Sequence, residues 1–161
     1  MEVMERKNSR EKIPAELYEG VVTLRDNLRE PYTPSWCRAQ EQADGVIAVG
    51  YPTYPDWLWS GIWDGIYLIE FFGADYFTYY DEFDFIEDPD EVKQFTLDKL
   101  YTWFVVFGNR ERMSEGLIGN GAEQGTVFLI ADRLIELLNS DRSAMSAIGT
   151  SNWTKKRAEG W

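Results

Sequence analysis

Asp81, Glu82, Asp84, Glu87, Asp88, Asp90 and Glu91 put seven carboxylates into eleven residues with no base among them. Oxygen ligands in such number suit Ca²⁺ or Mg²⁺. Two carboxylates facing one cleft can also divide acid–base work between them. The EF-hand spacing is absent, no glycine stands at its turn, and Pro89 interrupts the run. Nothing singles out a catalytic pair. The reading assigns no metal, no cofactor and no catalytic residue here.

Histidine is missing from the whole chain. That removes Ser-His-Asp and Cys-His nucleophile pairs and histidine-ligated zinc or iron. Cys37, the one cysteine, can build neither an internal disulfide nor a thiolate metal site. With only Arg38 nearby to lower its pKa, it is expected to be a packed or idle thiol. "SREK" (Ser9–Lys12) has the Ser-x-x-Lys spacing of some acyl-enzymes but lies in a polar stretch. "GNGAEQG" (Gly119–Gly125) lacks the spacing of a phosphate loop and reads as a helix–turn–helix connection.

The carboxylates stand among rings. In "DYFTYYDEFDFIEDPDEV" (Asp75–Val92), Phe77, Tyr79, Phe83 and Phe85 fall on one side of an extended chain; Tyr76, Thr78, Tyr80, Glu82 and Asp84 fall on the other. One side can bury its rings while the other shows hydroxyls and carboxylates to water. The residues expected to meet a partner are Tyr76, Tyr80, Asp81, Glu82, Asp84 and Glu87.

Charge selects the partner. The net charge is −12, and thirteen acids but no base lie between Arg38 and Lys93. Such a surface repels nucleic acid and anionic membrane and attracts a basic protein. Solubility or adaptation to a salty cytoplasm is the plain alternative. The N-terminus has no apolar leader, and the most apolar run is broken by Asp64 and Glu70. The expectation is a cytoplasmic protein.

The elements that must position these groups are mainly helical. The chain of 161 residues suffices for one domain, expected over 13–140 between a flexible polar N-terminal tail (1–12) and a flexible polar C-terminal tail (141–161). Fold class is expected to be mainly α, about four principal helices with a small extended or β element. The first helix covers "IPAELYEGVVTLRDNLRE", with Leu17, Val21, Leu24 and Leu28 as its stripe. "DGVIAVG" can be a short strand and "GYPTYP" a turn-rich connection. A second helix runs from about Asp56 to Phe72, its main apolar face Trp59, Ile62, Trp63, Ile66 and Ile69, widened nearly all round by Leu58, Tyr67, Leu68, Phe71 and Phe72, with Asp56, Ser60 and Asp64 as a narrow polar line. Gly61 and Gly65 can let another backbone approach. Asp88, Pro89 and Glu91 start a third helix carrying Val92, Phe95, Leu100, Tyr101, Phe104 and Phe107 inward, which Gly108 stops. Asn109 can cap a short helix to about Gly116. Thr126 can cap a last one with the stripe Val127, Ile130, Leu134 and Leu137.

"YPTY", "YYDEFDF", "NRERMSEG" and "QGTVFLIADRLIEL" fall in that order between Tyr51 and Leu138. In this the chain resembles an uncharacterised prokaryotic family, the domain of unknown function number 6508. That family has a Tyr-Pro opening, an acidic aromatic stretch, an Arg-Phe-x-x-Gly-type motif and a Gly-Thr-Ile-type start to its closing helix. Glu111, Arg112, Glu115, Gly116, Gly125, Arg133 and Leu134 align with its pattern. Met113 stands where the family has phenylalanine, so no role of that ring carries over. The resemblance implies no activity. Read from spacing alone, Arg112 can bridge Glu111 and Glu115 in a salt network at the Gly116 turn, or hold an anionic group.

Two functions of different class follow. The first is a non-catalytic interaction module for a basic protein, in its sharpest form an inhibitor whose carboxylates mimic the phosphates of DNA. The second is a divalent-cation-dependent enzyme using the clustered acids.

Overall fold

The computed structural model describes residues 12–37, 40–41, 45, 47–48, 50–74, 86, 88–111 and 116–149. The described chain is mainly helical with a small antiparallel β element. Its order is α1 (Ala15–Asn27), β1 (Ser35–Cys37), β2 (Gln40–Glu41), β3 (Ile47–Ala48), β4 (Tyr51–Thr53), α2 (Asp56–Glu70), α3 (Leu97–Arg110), α4 (Leu117–Glu123), α5 (Thr126–Asn139) and α6 (Arg142–Ala147). A 3-10 turn over Pro89–Gln94 precedes α3.

Four long helices close a ring: α1 packs on α2, α2 on α3, α3 on α5 and α5 back on α1. Three of them, α1, α3 and α5, bury most of the stripe that periodicity predicts. Val21 and Leu24 of α1, Leu100 and Phe104 of α3, and Val127, Ile130 and Leu134 of α5 are fully enclosed. Between α1 and α5, Arg25 pairs with Asp26 at 3.0 Å and reaches Asp132 at 3.4 Å.

Glycine decides where the helices meet. A methyl on Gly65 would lie 2.5 Å from the Phe104 ring, and one on Gly61 would lie 2.8 Å from Leu24. The two glycines of α2 thus receive side chains from two different helices rather than a backbone.

Several boundaries differ from expectation, each for a packing reason. The helix expected from Asp88 is two pieces. Asp88 caps the 3-10 turn by accepting from the Asp90 N–H at 3.0 Å, and Thr96 caps α3 anew by accepting from the Lys99 N–H at 3.3 Å. Gly108 does not stop α3, and Asn109 starts no helix; both lie inside α3. A methyl on Gly108 would lie 2.8 Å from Ile66, so the glycine serves the α2–α3 approach. "GNG" is not a connection but part of α4, where Gly121 lies against the Phe107 ring. Thr126 is the first residue of α5, and Gly125, at φ +86°, makes the turn before it.

"GYPTYP" contributes a strand. Ser35 pairs with Thr53, Trp36 with Pro52 and Cys37 with Tyr51, antiparallel. Gln40 pairs with Ala48 and Glu41 with Ile47 in the same register, as in one ribbon. The ribbon expected over Phe77–Phe85 lies outside the described residues.

The start of the expected C-terminal tail is ordered. Asp141 caps α6 through the Ala144 N–H at 3.1 Å. Ile13 then bridges Ile148 in parallel: its N–H donates to Ala147 O at 2.9 Å, and its carbonyl accepts from the Gly149 N–H at 2.7 Å. Ile13 is fully buried there. Among the described residues, no helix is long and apolar enough to cross a membrane.

Candidate functional site

Glu111 follows the last residue of α3, and its side chain is only 7 % exposed. A buried carboxylate is costly unless hydrogen bonds satisfy it. Its Oε1 accepts from the Gly116 N–H at 3.0 Å and its Oε2 from the Ile118 N–H at 2.9 Å. The Tyr54 hydroxyl also donates to Oε1, in a very short bond, and itself accepts from the Gly119 N–H at 3.2 Å. One acid and one phenol thus satisfy three N–H groups at the start of α4. Burial first, and then the bond to Glu111, raise the Tyr54 hydroxyl well above its ordinary pKa of 10.0.

Trp36 covers this corner. Gly116 sits at φ +95°, and a methyl there would lie 2.8 Å from the Trp36 ring. Gly116 is thus required twice, by its backbone angle and by the ring above it. Trp36 remains 51 % exposed. Beside it, interaction with the Cys37 thiol, its cross-strand neighbour, raises the Tyr51 hydroxyl above its ordinary pKa of 10.0.

The second feature lies on α2. Trp59 was expected on the buried face, but it is 38 % exposed, and Tyr67 is 49 % exposed. Trp63, partly buried, lies between them. The ring centroids are 6.2 Å apart from Trp59 to Trp63 and 6.0 Å from Trp63 to Tyr67. Asp56 and Glu70, both exposed, continue this line at either end at helical spacing. The Tyr101 hydroxyl donates to Glu70 at 2.8 Å and holds that acid against α3.

Asp64 was expected on the polar line of α2, yet it is buried, and its carboxylate rests on Gly20 of α1. A methyl on Gly20 would lie 1.9 Å from Asp64 Oδ2. Glu16, one turn earlier on α1, is also buried.

Of the residues expected at the site, Glu111 and Gly116 are brought together, and Gly125 marks a separate turn. Arg112 and Glu115 lie outside the described residues, and so do Tyr76, Tyr80, Asp81, Glu82, Asp84 and Glu87. Arg133 is structural: its guanidinium donates to Phe95 O at 3.2 Å and pairs with Glu136 at 2.8 Å, tying α5 to the turn before α3. Among the described residues no three Cys, Asp or Glu side chains gather as a metal site would require. Sequence reasoning missed the Tyr54 partnership and the exposed ring line. The Tyr-Pro pair before α2 hinted at neither, but the spacing of Asp56, Trp59, Trp63, Tyr67 and Glu70 was available. Comparison with models of protein families, with curated proteins and with solved structures finds no match.

Proposed function

We propose that this chain is a non-catalytic interaction module whose acidic, ring-bearing surface meets a basic protein. The observation that carries this reading is the exposed line of rings on α2, set in a stretch with thirteen acids and no base. Exposed tryptophan and tyrosine are poor choices for solubility and good ones for a contact surface. Tyrosine and tryptophan supply area at low entropy cost, and the acids supply steering and partner choice.

The phosphate-mimic form of this idea asks for carboxylates in a row. The carboxylates named for it lie outside the described residues, and the described ones place rings in a row with an acid at each end, which favours mixed aromatic and ionic recognition. The likeness of Tyr51–Leu138 to the family of unknown function is proposed as kinship of fold and adds no activity.

The test uses two baits in a lysate, the wild-type chain and the double variant Trp59→Ala/Tyr67→Ala, with elution from low to high salt and mass spectrometry of each fraction. The expected result is a basic protein retained by the wild type and lost by the variant. Identical profiles from the two baits would overturn the proposal.

A further inference from the structure

We infer that the Asp56–Trp59–Trp63–Tyr67–Glu70 face of α2 is a docking track for an extended peptide segment with arginine or lysine at alternate positions. This deepens the interaction reading above and rests on it.

The first argument is geometric. Ring centroids along the track repeat at 6.2 and 6.0 Å. An extended chain repeats every two residues, at about 6.6–6.8 Å, and puts alternate side chains on one side. Alternate side chains of such a segment therefore fall near successive rings, whose planes meet at 63° and 36°. A cation within about 6 Å of a ring centroid is attracted by the ring's electron-rich face. From Asp56 to Glu70 the helix rises about 21 Å, the span of roughly six extended residues.

The second argument is charge. Asp56 and Glu70 stand exposed at the two ends, and the nearest bases in sequence are Arg38 and Lys93. The five track residues themselves therefore carry two negative charges and no positive one. Cations are drawn to it, whereas an acidic segment or a nucleic-acid strand is repelled.

The third argument is preorganisation. Trp63, the middle ring, is held at the α2–α3 seam, where a methyl on Gly108 would lie 3.3 Å from it. Tyr101 holds Glu70 at 2.8 Å. Groups already fixed on a helix lose little freedom on binding.

The experiment titrates the full chain, by its tryptophan fluorescence and by calorimetry, with two synthetic peptides of equal composition. One alternates arginine with serine, and the other has its arginines in one block and its serines in another. The alternating peptide is expected to bind on the order of tenfold tighter, since only it registers with the rings. Trp59→Ala/Tyr67→Ala should lose about tenfold in affinity for it, and Asp56→Asn/Glu70→Gln a smaller factor with a weaker salt dependence. The Asn/Gln variant leaves every ring in place and lets residue 70 still accept from Tyr101, so it guards against a folding artefact.

Equal binding of the two peptides, or unchanged binding by the ring variant, overturns the inference. So does sedimentation showing a dimer that the ring variant dissolves, because a second copy would then own the face. In any of these cases the broader reading stands if the two lysate baits still differ, and falls only if they do not.

Discussion

Glu111 lies inside the molecule while Trp59 and Tyr67 lie on its surface, each against the usual preference of its residue type. The acid is fully accounted for by folding. Its oxygens accept from Gly116, Ile118 and Tyr54, which otherwise leave the start of α4 short of partners. The rings are not accounted for in that way. Each end of their line is partly open to water, and Trp63 is wedged against α3. A residue out of place with its bonds satisfied speaks of architecture. Residues out of place without such compensation, lined up and flanked by charge, speak of a partner.

The sharpest way to break this contrast is at Glu111. Glu111→Ala should cost roughly 3 kcal/mol of stability, because buried N–H groups and the Tyr54 hydroxyl lose their acceptor. Glu111→Gln, which keeps one acceptor oxygen, should cost about half as much. Urea unfolding of the three proteins measures both, and a loss below about 1 kcal/mol for the alanine variant would remove the architectural reading.

A second test uses pH. The folded chain holds the Tyr54 proton to higher pH than the unfolded chain does. The stability this adds is complete below the ordinary tyrosine pKa of 10.0 and is lost as pH rises above it. Thermal melting of the wild type should therefore fall more steeply above that pH than melting of Tyr54→Phe. Parallel curves would show that the network does not control the proton.

The smallest expected effect is on the other side of the contrast. Trp59→Ala/Tyr67→Ala should change stability by about 1 kcal/mol, well short of the Glu111→Ala loss, since the rings are 38 % and 49 % exposed and alanine favours helix. A loss of several kcal/mol, read by the same urea unfolding, would mean that the rings belong to the core and that the docking track is a misreading.

The helices were largely legible because their information is local. Val21, Leu24 and Leu28, or Val127, Ile130 and Leu134, recur at helical spacing and are buried as that spacing demands. Prolines at 14 and 55 stand immediately before α1 and α2. Glycine misled where its role was contact rather than conformation. Gly108 and Gly121 resembled helix breakers, but each lies inside a helix because a side chain from elsewhere needs the space. The site was less legible still. Charge spacing pointed only to Arg112 and Glu115, which lie outside the described residues, and gave no sign of the Tyr54 hydroxyl and the α4 backbone that its carboxylate meets.

The sequence by itself determined the helical class, the stripes of α1 and α5, and the acid-rich stretch without bases, since each is a property of neighbours along the chain. Only the tertiary structure decided which side of α2 faces inward. That helix is apolar nearly all round, so its periodicity left the choice open. Leu24 at Gly61, Phe104 at Gly65 and Asp64 at Gly20 made it, and left Trp59 and Tyr67 outside. The physical reason is close packing: a helix turns toward the partners that fit its gaps, and those partners lie far away in sequence.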